Sequence, residues 1–165
     1  MKTIALSLGL AAAFAAGIAV AADDAKLVEQ GRYIIRIAGC NDCHTVNYPE
    51  SGGTVAEAEW LTGNPVGFSG PWGTTYPANL RLLFASMSEM EWMERARKPL
   101  RPPMPYFNLQ AMSDQDLRAV YAFIRSLGPK GQPAPAYVSP DVAVTTPYIE
   151  FVPKNLPAAH AMKGK

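Results

Sequence analysis

The residue types and spacing that could support chemistry are concentrated in Cys40-Asn41-Asp42-Cys43-His44. Two cysteines separated by two residues, with a histidine directly after the second, are typical of covalent haem attachment. Each thiol adds to one vinyl group of the porphyrin, and the two-residue spacer sets the sulfur separation to match the two vinyls. A ring nitrogen of His44 is then held beneath the iron as the proximal ligand. The motif predicts one covalent haem c on Cys40 and Cys43.

Three other kinds of site could use two cysteines. A structural zinc site needs four protein ligands, and the chain, with two Cys and two His, would have to supply His160 from its tail. A thioredoxin-like redox pair occurs in a βαβ context, and no such pattern surrounds this motif. A plain disulfide is common in exported proteins. Ligand count and sequence context favour haem over these alternatives.

Composition narrows the class of protein. The chain has 165 residues and a formal net charge of +1, with 48% hydrophobic and 18% charged residues. That size and balance fit one globular domain with appendages. The net charge is too small to create a positive potential that attracts a nucleic-acid backbone, and two cysteines are too few for a disulfide scaffold. Nucleic-acid binding and disulfide-rich secreted folds are therefore disfavoured.

The first 22 residues predict export. Met1-Lys2 gives a positive start, residues 3–22 are uncharged, and small residues precede Asp23-Asp24. This pattern is typical of a cleaved signal peptide. An uncleaved membrane anchor is the alternative, because about 20 uncharged residues could just span a bilayer. The weakly apolar, Ala-rich run favours cleavage, so we expect a periplasmic protein without a stable membrane span.

Hydrophobic periodicity and capping signals predict helices on both sides of the motif. An amphipathic helix over residues 25–38 stops at Gly39, and the clearest helix covers residues 114–127, capped by Ser113 and ended by Gly128. Shorter helices are expected over residues 55–62 (capped by Thr54 and Glu57), 79–87 and 88–97 (capped by Ser88).

The rest of the chain predicts no regular structure. Residues 64–77 should form an ordered loop, and four prolines exclude a regular helix over residues 98–112. Residues 129–165 carry seven of the fifteen prolines and predict an extended tail. Since no strand run stands out, we expect an all-α domain over residues 23–128.

The chain resembles class I c-type cytochromes. The segments that carry the resemblance are Gly31-Arg32-Tyr33 in the helix before the motif and residues 73–79, 103–106 and 112–117. It is particularly similar to the cytochrome c domains in haem subunits of periplasmic alcohol and gluconate dehydrogenases. The resemblance covers about residues 25–128 and implies four to five helices around one haem. Those subunits usually carry several haem motifs and a membrane anchor, whereas this chain has one motif, which favours a stand-alone monohaem protein.

The sixth iron ligand of an electron carrier is usually a methionine sulfur. Met104 lies between Pro102-Pro103 and Pro105, so its backbone is restricted and its sulfur can be presented with little loss of entropy. It also matches the ligand position that the resemblance implies. Met112 and His160 are alternatives, while Met87, Met90 and Met93 have the helical spacing of core residues around Trp92.

Hydrogen-bond donors near the predicted haem edge are candidates to bind its propionates. Trp72, Tyr76, Asn79 and Arg81 lie in or beside the 64–77 loop, and Arg101 lies near Met104. For each of them an ordinary surface or interface role is equally open. Tyr33 and Tyr121 are expected to pack the first helix against the last, and the resemblance implies that Gly31 permits their close approach.

The leading functional hypothesis is an electron carrier that is not itself an enzyme, with redox proteins as donor and acceptor. A second hypothesis is a permanent haem subunit of a dehydrogenase or reductase, docked through the tail and through Trp60, Phe68 and Trp72. A third is an open-site haem protein that binds small ligands.

Overall fold

A computed structural model describes residues 23–155 of the chain. The predicted signal peptide and His160 lie outside these residues. The described part contains six α-helices: α1 (residues 23–37), α2 (Cys40–His44), α3 (Leu80–Ala85), α4 (Glu89–Ala96), α5 (Tyr106–Ala111) and α6 (Asp114–Leu127). None of the helices in this range combines the length and apolar character required to cross a bilayer.

Local signals place three helix boundaries correctly. Gly39 takes a left-handed conformation (φ 68°) and ends α1 directly before the motif. The side chains of Ser88 and Ser113 each accept from the amide three residues on, and the acidic side chain there accepts from the serine amide in return. The predicted caps Ser88 and Ser113 are therefore confirmed, and each forms a capping box.

Helix α6 lies at the centre of the core. Its residues Leu117, Val120, Phe123 and Ile124 are buried, and α3 and α4 pack against it. A Cβ at Gly31 of α1 would lie only 2.0 Å from the backbone oxygen of Ala119. The close approach of α1 and α6 at Gly31 is therefore confirmed.

The two tyrosines expected between these helices lie elsewhere. Tyr33 is 62% exposed on the outer face of α1. Tyr121 donates to the carbonyl of Met87 at 2.9 Å, and its ring centroid lies 5.8 Å from that of Phe84. That expectation was wrong, because a contact in which the backbones nearly touch leaves no room for aromatic rings.

Two helix predictions around the prolines and glycines were also wrong. Only a 3₁₀ turn, Glu57–Glu59, forms where a helix was expected over residues 55–62. The Thr54 hydroxyl donates back to the carbonyl of Ser51, and the buried Trp60 indole donates to the carbonyl of Val55 at 2.8 Å, so core packing overrides the local caps.

Helix α5 forms within residues 98–112, because the last proline, Pro105, precedes its first turn.

A small sheet was not predicted. Strands β1 (Gly67–Gly70) and β2 (Gly73–Thr75) pair antiparallel, and β3 (Tyr148–Glu150) from the tail pairs parallel with β1, giving the order β2-β1-β3. Gly67 is opposite Tyr148 and Phe68 is opposite Ile149. The fold is therefore mostly helical with a three-stranded addition. Its strands of three or four residues are too short to show a period in the sequence.

Candidate haem-binding site

Helix α2 carries both cysteines. Cys40 and Cys43 are three residues apart on one helix, so their side chains share a face. Both are free thiols, and neither is in a disulfide. Burial raises the pKa of the Cys40 thiol to about 12, and burial, aided by the charge of Asp42, also raises the pKa of Cys43. These thiols lack the lowered pKa of a thioredoxin-like redox pair.

His44 is buried at the end of α2, and its Nδ1 lies 2.8 Å from the carbonyl oxygen of Ala78. A carbonyl oxygen only accepts hydrogen bonds, so Nδ1 carries the proton and Nε2 keeps its lone pair. Burial lowers the pKa of His44, which outweighs the opposing effect of the bond to Ala78. The ring is therefore neutral and oriented, as a metal-ligating histidine requires.

A buried hydrogen-bond chain fixes α2 to the following loop. The Thr45 hydroxyl donates to the Asn41 side-chain oxygen at 2.8 Å and accepts from the amide of Leu61 at 2.8 Å. The amide of Gly63 donates to the carbonyl of His44 at 2.8 Å. Asn41 is only 1% exposed, although its position within the motif is that of a spacer. Neither this role nor that of Ala78 was predicted, because both depend on contacts with a distant loop.

Met104 lies in the tight segment between α4 and α5. Its amide donates to the carbonyl of Arg101 at 3.2 Å, and its own carbonyl accepts from the amide of Tyr106 at 2.8 Å. Its side chain is partly buried against the core. The contacts are consistent with a restrained backbone, and the assignment of Met104 as sixth ligand remains a prediction.

The other methionines take different places. Met112 is also partly buried, ends α5, and accepts from Arg97 Nη1 through its carbonyl at 2.8 Å. Met87 and Met93 pack against the core, whereas Met90 is 72% exposed, so the expectation of a core role was wrong for Met90.

Three of the predicted propionate donors already have protein partners. Arg81, 6% exposed, donates to the carbonyls of Ala58 (2.7 Å), Gly128 (2.6 Å) and Leu127. Asn79 caps α3 and donates to two tail carbonyls, and the Tyr76 hydroxyl bonds that of Thr146. These side chains fasten α3 and the hairpin formed by β1 and β2 to the segments that follow α6.

Two donors on the hairpin are buried without a partner among the described residues. They are the indole Nε1 of Trp72 and the hydroxyl of Thr75. A buried donor is costly to leave unpaired, and a carboxylate is a strong acceptor for it. Trp72 was a predicted propionate contact, whereas Thr75 was overlooked even though it lies in the segment that carries the family resemblance. Each of the two groups has the donor chemistry that a haem propionate requires.

Of the three aromatic residues expected to dock a partner, Trp60 is buried, whereas Phe68 and Trp72 are half-buried. Trp60 is buried in the core, with its ring 5.8 Å from Tyr48 and 6.2 Å from Phe123. Phe68 and Trp72 both contact Phe151 of the tail, at centroid distances of 6.3 and 6.1 Å. The expectation of a docking role was wrong for Trp60, because it is buried. A docking role of Phe68, Trp72 and the tail stays a prediction.

The chemistry of the donor set fits covalent haem. The site offers two free thiols on one helical face and a neutral histidine with its tautomer fixed. It also has three buried donors without a partner among residues 23–155, namely Asn41 Nδ2, Trp72 Nε1 and the Thr75 hydroxyl. Within residues 23–155, no three His, Cys, Asp or Glu side chains gather as a metal site, so no zinc cage is built there.

Comparison with known proteins agrees with this fit. Residues 28–128 match the cytochrome c family. The chain is 32% identical over 123 residues to a subunit of the nicotinate dehydrogenase of Pseudomonas putida, which covers 68% of this chain and 10% of that protein. It is 31% identical over 134 residues to the cytochrome c subunit of the quinone alcohol dehydrogenase of Gluconobacter oxydans, covering 73% of this chain and 25% of that subunit.

The chain thus spans between a tenth and a quarter of the length of these curated relatives. No solved structure matches it significantly. The family match takes in more than half of the chain and includes the whole Cys40–His44 motif. Cytochromes c bind haem covalently and transfer electrons. The chain belongs to the cytochrome c family, as a class I c-type cytochrome similar to the haem subunits of dehydrogenases.

Proposed function

We propose that this chain is a periplasmic electron carrier in which Cys40 and Cys43 would hold one haem c covalently and His44 and Met104 would bind its iron. The observation that carries the proposal is the bond from His44 Nδ1 to the carbonyl of Ala78, which leaves Nε2 free to bind iron. The haem, when bound, supplies a one-electron ferric/ferrous couple.

Hydrogen bonds within the chain fix the positions of the residues that would hold the haem. The hydrogen bonds that the Thr45 hydroxyl donates to Asn41 and accepts from the Leu61 amide hold α2, and the carbonyl of Ala78 holds the His44 ring. The prolines around Met104 restrict the backbone that presents its sulfur. A site that does not rearrange between oxidation states transfers electrons with little reorganisation.

At the haem edge we assign Trp72 and Thr75 as propionate donors, because their polar atoms are buried and unpaired among the described residues. Tyr76, Asn79 and Arg81 then act by holding the hairpin and α3 in place, since their polar atoms bond to protein. A charged propionate held by buried donors affects the potential of the site.

The relatives support a second candidate, a permanent haem subunit of a periplasmic dehydrogenase or reductase. The proteins from Pseudomonas putida and Gluconobacter oxydans are both named as dehydrogenase subunits. The two candidates differ in the size at which the protein elutes from a periplasmic extract. A carrier elutes at the size of the chain alone, whereas a subunit co-elutes with a flavin or quinoprotein enzyme.

The test is expression of the full chain together with a haem-maturation system. The exported product should begin at Asp23, carry one covalent haem by intact mass, and undergo a reversible one-electron redox titration. Replacement of Cys40 or Cys43 by Ala should leave attachment through a single thioether. Absence of covalent haem would refute the proposal, and ready binding of carbon monoxide by the reduced protein at neutral pH would favour an open-site haem protein.

A further inference from the structure

Residues 130–138 of the tail, which we call the strap, lie against the side of the site that orients the proximal histidine. Asn79 Nδ2 donates to the strap carbonyls of Lys130 at 2.8 Å and Gln132 at 3.1 Å. Asn79 directly follows Ala78, whose carbonyl accepts the hydrogen bond from Nδ1 of His44. One end of the strap is therefore fixed beside the proximal ligand.

The other end of the strap is fixed to the hairpin. Thr74 and Val138 exchange two backbone hydrogen bonds, at 2.8 and 3.0 Å, and the Tyr137 hydroxyl donates to the carbonyl of Trp72 at 2.8 Å. A Cβ at Gly73 (φ 91°) would lie 2.4 Å from the carbonyl oxygen of Val138, so glycine is needed for this approach. These contacts fix the position of the Tyr137 ring.

The same ring contacts the segment that bears Met104. The guanidinium carbon of Arg101 lies 4.3 Å from the centroid of the Tyr137 ring, which is the geometry of a cation–π interaction. The carbonyl of Arg101 accepts from the amide of Met104 at 3.2 Å. Tyr137 is therefore the side chain through which the strap and the hairpin hold the Arg101–Met104 turn.

We propose that Tyr137 is a positioning residue that keeps the sulfur of Met104 on the iron. The inference rests on the proposed ligation by Met104. Without the ring, Arg101 is released, the turn gains conformational freedom, and the sulfur leaves the iron more often. An external ligand competing for the same coordination position then binds more tightly, because less of its binding free energy is spent displacing the sulfur.

The test measures imidazole binding to the ferric holoprotein, together with the midpoint of its denaturant unfolding. Tyr137→Leu and Arg101→Gln should each strengthen imidazole binding by about 2- to 5-fold, the range of a cation–π contact between exposed residues. The double variant should gain no more than either single variant, because both remove one interaction. Arg101→Lys retains a cation, so it should strengthen imidazole binding less than Arg101→Gln does. Tyr137→Phe keeps the aromatic ring, so it should strengthen imidazole binding less than Tyr137→Leu does.

Tyr148→Leu is the matched control, since Tyr148 is a half-exposed tyrosine of the same tail outside the strap. It should leave imidazole affinity unchanged. Unchanged affinity in Tyr137→Leu, or an equal increase in Tyr148→Leu, would overturn the inference. Met104→Ala separates the two proposals. If it strengthens imidazole binding while Tyr137→Leu does not, only the role of Tyr137 fails; if it has no effect, the ligation by Met104 fails.

Discussion

Nδ1 of His44 lies 2.8 Å from the carbonyl oxygen of Ala78, a residue 34 positions further along the chain. Gly63 connects these two segments. Its amide donates to the carbonyl of His44, and a Cβ on it would lie 2.8 Å from the amide nitrogen of Asn79 and 3.1 Å from the carbonyl carbon of Ala78. The orientation of His44, the proposed proximal ligand, therefore depends on glycine at position 63.

Gly63→Ala should disturb both stability and the proximal ligand. The alanine would have to adopt φ 84° and displace the backbone that carries the Ala78 carbonyl. We expect the free energy of unfolding to fall by about 3 kcal/mol, the sum of left-handed strain and overpacking. Because the bond to His44 is weakened, the reduction potential and the hyperfine-shifted resonances of His44 should shift as well.

Gly52→Ala is the control for backbone strain alone. Gly52 has a similar φ of 63°, but a Cβ there meets nothing within 4 Å. We expect a loss of about 1 kcal/mol and an unchanged potential. Equal effects of the two substitutions on stability and potential would contradict the role assigned to Gly63.

Arg81 should act on stability more than on the haem. Its guanidinium satisfies the carbonyls of Ala58, Leu127 and Gly128, and neither Gln nor Lys can reach all three. Urea unfolding of Arg81→Gln and Arg81→Lys should show similar losses of about 2–4 kcal/mol. Arg36→Gln, on the exposed face of α1, should change stability by less than about 0.5 kcal/mol. If instead both Arg81 variants kept wild-type stability and Arg81→Gln alone shifted the potential, a propionate contact would be the better account.

The capping box of α6 should give stability a pH dependence. The Ser113 hydroxyl and amide donate to the Asp116 carboxylate at 2.7 and 3.2 Å, and these bonds hold the pKa of Asp116 below its ordinary value. A lowered native pKa means that this stabilisation is present above the unfolded value of about 3.9 and is lost as pH falls through the native value. Asp116→Asn should therefore lower the free energy of unfolding at pH 7 by about 0.5–1 kcal/mol.

The difference between wild type and Asp116→Asn should shrink as pH falls below about 4. Urea unfolding followed by circular dichroism between pH 3 and pH 7 measures it. Glu50→Gln, at an exposed carboxylate in a turn outside any helix, is the control and should behave like wild type at each pH. A difference that stays constant across this range would show that the charge of Asp116 does not contribute.

The structural features that the sequence predicts correctly are those that depend on local contacts. Gly39, Ser88 and Ser113 mark helix boundaries through bonds within four residues, and the cytochrome c motif is contiguous. The match to the cytochrome c family confirms the resemblance drawn from the motif and its flanking helices.

Features that depend on contacts between distant residues could not be predicted from the sequence. Thr54 has the signals of a helix cap, but burial of Trp60 and Leu61 in the core makes a different backbone more stable. Strand β3 pairs with β1 some 80 residues away, and Ala78 acts through a carbonyl that every residue possesses. Thr75 carries no sequence signal of its own, and only its burial without a partner among residues 23–155 makes it a candidate.

The central claim is that Met104 completes the coordination that His44 begins, and the absorption spectrum of the ferric holoprotein tests it most directly. The wild type should be low-spin and six-coordinate, with a sulfur-to-iron charge-transfer band. Met112→Ala removes a partly buried methionine at the end of α5 and should keep the band. Met104→Ala should lose it. Persistence of the band in Met104→Ala, or its loss in Met112→Ala alone, would contradict the assignment.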